Sequence, residues 1–128
     1  MKTNFSLIFL LFFSFTFFGQ EFPSPQNFTI EICYNNYPLG GGQFCGDEFP
    51  PFATVHHYSF DAPDTTATTA TLVGYNLYVN TTLLGTYTST QFSGLCIEPG
   101  DYYVTAVYAN PDGESETSNS FFLVLCYL

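Results

Sequence analysis

The chain has 128 residues, and its eleven Asp and Glu residues against one Lys or Arg give a formal net charge of −10 at pH 7. This length allows one domain. The only Lys or Arg is Lys2, so the rest of the chain has no permanently positive side chain with which to neutralise phosphates. This excludes nucleic acid as a partner, and an anionic membrane surface should repel the chain.

An export signal is predicted at the N-terminus. Lys2 supplies a short positive start, and Leu7 to Phe18 is an apolar core interrupted by one Ser and one Thr. These 12 residues are too few to span a bilayer and are typical of a secretory signal peptide, whose cleavage we predict near Gly19–Gln20. We therefore predict a signal peptide over residues 1–20, a folded domain over residues 21–128, and no membrane insertion after cleavage.

The first predicted strand covers Asn27–Cys33, where Phe28, Ile30 and Ile32 alternate inward. Residues 34–51 follow as a long irregular loop with three consecutive glycines and two consecutive prolines. A loop of this length is either functional or cross-linked.

Four cysteines lie in the predicted domain, at positions 33, 45, 96 and 126. In an exported chain an even count indicates two disulfides, with three possible connectivities. A zinc site built from all four would use paired C-x-x-C spacing, which is absent. Cys33 and Cys45 are placed to close the long loop, and such a closure is worth about 3 kcal/mol in the chain-entropy model.

The second predicted strand, Ala53–Phe60, places His56 and Tyr58 on its core side and His57 outward. Because neighbouring residues on a strand point to opposite faces, one metal cannot easily bind both histidines. We expect one semi-buried and one exposed histidine, and no metal site.

The third predicted strand, Leu72–Asn80, begins a hairpin. Its inward positions are Tyr75, Leu77 and Val79, and its outward positions are Asn76 and Tyr78. The hairpin turns over residues 80–82 and returns as residues 83–88. A short strand over residues 90–95 then places Phe92 inward.

The central strand is predicted over Gly100–Asn110, between turn sequences at Pro99-Gly100 and at residues 110–113. Its core face holds Tyr102, Val104, Ala106 and Tyr108, and its other face holds Tyr103, Thr105 and Val107. A last strand over residues 120–125 closes the chain. With no helical periodicity of useful length, seven short strands predict an all-β sandwich.

Six short runs carry a family resemblance: residues 60–63, 73–79, 94–95, 99–100, 104–108 and 113–119. In their order and spacing they resemble a fibronectin type III domain, and more narrowly the bacterial form found in secreted proteins of the Bacteroidetes. The resemblance covers nearly the whole mature chain. It implies a seven-stranded, immunoglobulin-like β-sandwich after the signal peptide.

The chain departs from the family in two places. Phe60 replaces the family's strand-B tryptophan, and a spacing one residue short places Gly100 where the family has its corner tyrosine. We therefore expect the corner hydrogen bond to be missing. The sandwich implied by the resemblance makes the last two strands neighbours, so we predict a Cys96–Cys126 disulfide in place of the missing corner.

The resemblance also brings two loops to one pole of the sandwich. These loops carry the five acidic residues Asp61, Asp64, Asp112, Glu114 and Glu116. Unpaired carboxylates can bind Ca²⁺, but the Asp-x-Asp-x-Asp-Gly spacing of a dedicated calcium loop is absent. We expect a solvated acidic loop tip, with calcium as the alternative to test.

Nothing in the sequence indicates catalysis. No Ser/His/Asp or Cys/His arrangement is indicated, because the cysteines are better used in disulfides. The three consecutive glycines are not followed by the helix that a phosphate loop needs. We predict a non-catalytic protein without a cofactor.

The candidate binding surface is aromatic. Tyr78 and Tyr103 should face outward on neighbouring strands, with Tyr87 near them. Exposed tyrosines can anchor a protein partner or stack on sugar rings, although tyrosine also suits strands in general. We predict a secreted, periplasmic or cell-envelope module that makes protein or surface contacts. The alternatives are a carbohydrate-binding module that uses this tyrosine face and a self-assembling extracellular subunit; the sequence indicates no oligomeric state.

Overall fold

The computed structural model describes residues 21–35, 45 and 48–126, which are all-β. Eight strand segments occur in this part of the chain: β1 Gln26–Asn35, β2 Ala53–Asp61, β3 Thr71–Val79, β4 Thr82–Tyr87, β5 Gln91–Leu95, β6 Gly100–Ala109, β7 Gly113–Glu114 and β8 Phe121–Leu123. No helix capable of crossing a membrane occurs among these residues. The predicted signal peptide lies outside the described residues.

The strands form two antiparallel sheets in a sandwich-like arrangement. One sheet has the order β1-β2-β5. The other has the order β4-β3-β6, and both β7 and β8 pair with β6. The central strand of the second sheet is therefore β6, as the sequence pattern predicts.

The core between the sheets is rich in aromatic side chains. The four predicted core positions of β6, namely Tyr102, Val104, Ala106 and Tyr108, are each at most 2% exposed. Phe60 from the first sheet packs on Tyr75 from the second with ring centroids 4.8 Å apart. Burying a large apolar side chain contributes about 1.5–3 kcal/mol, so this shared layer holds the two sheets together.

The final strand differs from the single strand predicted over residues 120–125, because it is divided into β7 and β8. Between them, Ser115 and Ser118 approach β6 with their backbone and their side chains. The Ser115 N–H donates to the Ala106 carbonyl at 2.8 Å, and the Ser115 hydroxyl accepts from the Ala106 N–H at 2.9 Å. Ser118 makes the same pair of contacts with Val104, at 2.8 and 3.1 Å. Hydroxyl groups thus replace part of the strand ladder.

Both predicted disulfides are present. Cys33 is bonded to Cys45 and Cys96 to Cys126, with Cα separations of 5.9 and 5.6 Å. Both separations lie in the usual range for disulfides. Two disulfides are typical of extracellular proteins.

The expectation that the corner hydrogen bond is missing is wrong. The Tyr102 hydroxyl donates to the Glu98 carbonyl at 2.5 Å, so a tyrosine two residues beyond Gly100 makes this contact. Gly100 has a φ of +144°, and a Cβ there would lie 2.6 Å from the Asn80 amide. Glycine at position 100 therefore leaves room for the Asn80 side chain. The Cys96–Cys126 disulfide is present in addition to the Tyr102 hydrogen bond.

Candidate functional site

The two sheets have outer faces of different chemistry. On the three-stranded sheet, two neighbouring rows of outward side chains across β1, β2 and β5 are polar: Thr29, Ser59 and Gln91 in one row, and Glu31, His57 and Ser93 in the other. On the five-stranded sheet, two tyrosines lie beside exposed apolar residues and one carboxylate. We call this surface, defined by Tyr78, Leu83, Tyr103, Glu114 and Phe122, the tyrosine face.

Tyr78 and Tyr103 form the centre of the tyrosine face. They lie directly opposite each other on β3 and β6, and their rings stack with centroids 5.2 Å apart and planes inclined by 16°. The Tyr103 hydroxyl donates to the Asn80 carbonyl at 2.7 Å, and the Tyr78 hydroxyl donates to Glu114 Oε2 at 2.6 Å. Both rings are therefore held in one orientation before any partner arrives.

Apolar side chains flank this pair on both sides. Leu83 is the register partner of Tyr78 on the edge strand β4 and is 50% exposed. Phe122 on β8 is opposite Asp101, two residues before Tyr103 on β6, and is 62% exposed. The tyrosine face thus extends from β4 across β3 and β6 to β8.

Glu114 is fixed on this face by three donors that share one carboxylate oxygen. Its Oε2 accepts from the Tyr78 hydroxyl, from Asn76 Nδ2 at 3.2 Å and from the Thr105 hydroxyl. Thr86 in turn donates to Asn76 Oδ1 at 2.7 Å and fixes that amide. Partial burial raises the pKa of the Glu114 carboxyl, but the three hydrogen bonds outweigh it and leave the pKa below its ordinary value. Glu114 is therefore an ionised, oriented group.

The predicted position of Tyr87 is wrong. Its register partner is Tyr75, whose side chain is buried in the core, so Tyr87 lies on the inner face of its sheet. There its ring stacks on Phe92 of the other sheet, with centroids 3.8 Å apart. Tyr87 closes one side of the sandwich and does not belong to the tyrosine face.

The five carboxylates considered for calcium do not form a metal-binding group among the described residues. Glu114 is bound into the tyrosine face, and Asp61 accepts from Asn27 Nδ2 at 2.6 Å. Asp64 accepts from the Thr66 N–H at 3.0 Å, and this hydrogen bond lowers the pKa of Asp64. Across residues 21–35, 45 and 48–126, no group of three or more His, Cys, Asp or Glu side chains could hold a metal ion. Three of the five carboxylates, Asp61, Asp64 and Glu114, are thus hydrogen-bonded to polar groups of the protein.

The two histidines point to opposite faces, as predicted. His56 is fully buried between Tyr58 and Tyr102, and its Nδ1 lies 2.9 Å from the Tyr58 hydroxyl. Within the described chain, its Nε2 has no hydrogen-bond partner. Burial lowers the pKa of His56 to about 4. His56 is thus a neutral core residue at physiological pH.

A row of polar residues on the three-stranded sheet was not foreseen from the sequence. Strand register places Glu31, His57 and Ser93 side by side on three strands, and His57 Nδ1 lies 2.5 Å from the Ser93 hydroxyl. They line a shallow hollow of about 580 Å³. The row depends on the pairing of three separate strands, and no sequence motif marks it.

A second apolar surface lies at the disulfide end of the sandwich. Phe52, Leu95 and Ile97 are 45–66% exposed and line a groove of about 230 Å³ beside Cys96 and Cys126. None of the described residues that line it carries a charged side chain.

No family model, curated protein or solved structure matches this chain. The class that the structure defines is an all-β, disulfide-bonded sandwich of two antiparallel sheets. Its distinguishing feature is one polar outer face and one aromatic outer face.

Proposed function

We propose that the protein is an exported, non-catalytic module of fibronectin type III type that binds a protein partner through its tyrosine face. The observation that carries the proposal is the contrast between the two outer faces. One sheet carries six polar side chains in two neighbouring rows across its three strands. The other carries a fixed tyrosine pair between Leu83 and Phe122.

The strand order supports the family part of this proposal. In immunoglobulin-like sandwiches the first, second and fifth strands share one sheet, and the third, sixth and last strands share the other. The order β1-β2-β5 against β4-β3-β6 with β7 and β8 is consistent with that arrangement. The tyrosine corner at Tyr102 is a further feature of this class.

The composition of the tyrosine face supports a protein partner. Protein interfaces are enriched in Tyr and Phe at a desolvated centre, with polar groups at the rim. Here Tyr78 and Tyr103 are central and half-buried, whereas Leu83 and Phe122 are exposed beside them. Because hydrogen bonds already fix both tyrosines, binding would cost little side-chain entropy.

The stacking geometry supports a protein partner over a polysaccharide. A sugar ring stacks best on a broad aromatic plane that lies open to solvent. Tyr78 and Tyr103 cover part of each other, because their rings are stacked with a centroid separation of 5.2 Å. The apolar neighbours Leu83 and Phe122 instead match the side chains of a protein surface.

Photo-crosslinking in the cells that produce the chain tests this proposal. A photoreactive phenylalanine analogue would replace Leu83 or Phe122 in one set of variants, and Ser93 on the polar face in the matched control. We expect crosslinks to another protein from positions 83 and 122 and at most a trace from position 93. Equal crosslinking from both faces, crosslinks only to a second copy of this chain, or binding on a glycan array with no protein crosslink would contradict the proposal.

A further inference from the structure

Glu114 is a negative charge that the rest of the chain cannot neutralise. All three of its hydrogen bonds go to Oε2, and all three donors are uncharged. Its Oε1 has no hydrogen-bond partner within the described residues, and Glu114 is an exposed residue. The only Lys or Arg in the sequence is Lys2, inside the predicted signal peptide.

The surroundings of Glu114 match a cationic group. The Tyr78 hydroxyl contacts the carboxylate, so the Tyr78 ring and the charge are adjacent. A guanidinium or ammonium group can bind a carboxylate oxygen and lie against an aromatic ring at the same time. A second carboxylate, Asp101, lies two residues before Tyr103 on the same side of β6, so both ends of the stacked pair are acidic.

From this arrangement we infer that the partner places an arginine or lysine side chain on the tyrosine face. This cationic side chain binds Glu114 Oε1 and packs against the rings of Tyr78 and Tyr103. The inference rests on the proposed contact function and specifies the chemistry of the partner. A second copy of this chain does not fit, because its mature part has eleven carboxylates and no Lys or Arg. Arginine is the better match, because its planar guanidinium both stacks on rings and donates several hydrogen bonds.

A titration with a small peptide tests the inference without knowledge of the partner. The probe is acetyl-Gly-Arg-Gly-amide, with the corresponding Gln peptide as the uncharged control, added to the isotope-labelled protein at low salt. We expect saturable NMR shifts that concentrate on Tyr78, Tyr103 and Thr105 with the Arg peptide. We expect no such localised shifts with the Gln peptide.

Two variants that each remove one negative charge distinguish a specific cation-binding site at Glu114 from non-specific attraction to the acidic surface. Glu114→Gln keeps an oxygen for the three donors but removes the charge, and Glu116→Gln removes the charge of an exposed residue two positions away. We expect Glu114→Gln to lower the affinity for the Arg peptide by about fivefold, whereas Glu116→Gln should change this affinity by less than about twofold. Melting curves and amide spectra of both variants would establish that the fold is retained.

The outcomes separate this inference from the proposed function. An equal loss of Arg-peptide affinity in the two variants, or NMR shifts spread over all carboxylates, would overturn the inferred cation-binding site at Glu114. If crosslinking from positions 83 and 122 still captures a protein in that case, the proposed binding of a protein partner is retained and only the inferred cation-binding site is rejected. Localised NMR shifts that depend on Glu114 support the cation-binding site independently of the crosslinking result.

Discussion

At the scale of single residues, Glu114 and His56 illustrate how surroundings determine charge. Glu114 is kept ionised because three donors converge on one of its oxygens. His56 is kept neutral because it is fully buried and burial lowers its pKa to about 4. The sequence pattern placed His56 inward, but Glu114 was expected at a loop tip. Its true position depends on three donors from two strands, β3 and β6, which only the strand register brings together.

Burial of His56 predicts a fall in stability over a defined pH range. The folded-state pKa of about 4 lies below the ordinary value of 6.5, so the unfolded chain binds more protons between these values. The free energy of unfolding should therefore decrease as the pH falls from 6.5 to 4, by roughly 2–3 kcal/mol. The lowered pKa values of Asp64 and Glu114 add losses at more acidic pH.

Urea unfolding at several pH values checks this prediction, with NMR titration of the His56 ring as a direct reading. His57→Gln is the matched control, because His57 is only half-buried, and it should leave the fall between pH 6.5 and 4 unchanged. A flat stability profile over that range, or a folded His56 that titrates near 6.5, would show that the ring is accessible to protons.

At the scale of elements, the segment between β7 and β8 depends on short polar side chains. Ser115 and Ser118 are both buried, and their hydroxyls accept from backbone N–H groups of β6. The next residue, Asn119, accepts from the Phe28 N–H at 2.8 Å and donates to the Phe28 carbonyl at 2.9 Å. One segment thus links β6 of one sheet to β1 of the other without a regular ladder.

Loss of the Ser118 hydroxyl should measurably weaken this link. Ser118→Ala would leave the buried Val104 N–H without its side-chain acceptor, and we expect a loss of about 1–2 kcal/mol in the free energy of unfolding. Ser120→Ala, at an exposed position, should change it by less than about 0.5 kcal/mol. Equal effects of the two substitutions in chemical denaturation would mean that the hydroxyl contact does not stabilise the strand.

The elements also show which features a sequence can predict. Alternation correctly placed Tyr75, Leu77 and Val79 inward on β3, because burial on one face of a strand imposes a period of two. Alternation did not place Tyr87, since a register shift on β4 changes which residues face the core. The serines at 115 and 118 resemble loop residues in sequence, and only their hydrogen bonds to β6 bury them. Register and side-chain pairing are tertiary properties that no local pattern contains.

At the scale of the whole molecule, two disulfides and a shared aromatic core hold two sheets whose outer faces differ in chemistry. The sequence predicted both disulfides and the outward pair Tyr78 and Tyr103. It did not predict the hydrogen bonds that fix this pair, or the apolar residues that extend the face across β4 and β8. Because the formal net charge of the chain is −10, a positively charged partner surface would be electrostatically complementary to it.

The central claim is that binding occurs on the tyrosine face and not on the polar face. Affinity for the protein captured by crosslinking tests it most directly, with Tyr103→Ala compared with Gln91→Ala on the other sheet. We predict that Tyr103→Ala weakens binding by about tenfold or more, because central tyrosines dominate interface energies, whereas Gln91→Ala stays within about twofold. Unchanged affinity for a correctly folded Tyr103→Ala, or an equal loss from Gln91→Ala, would contradict the claim.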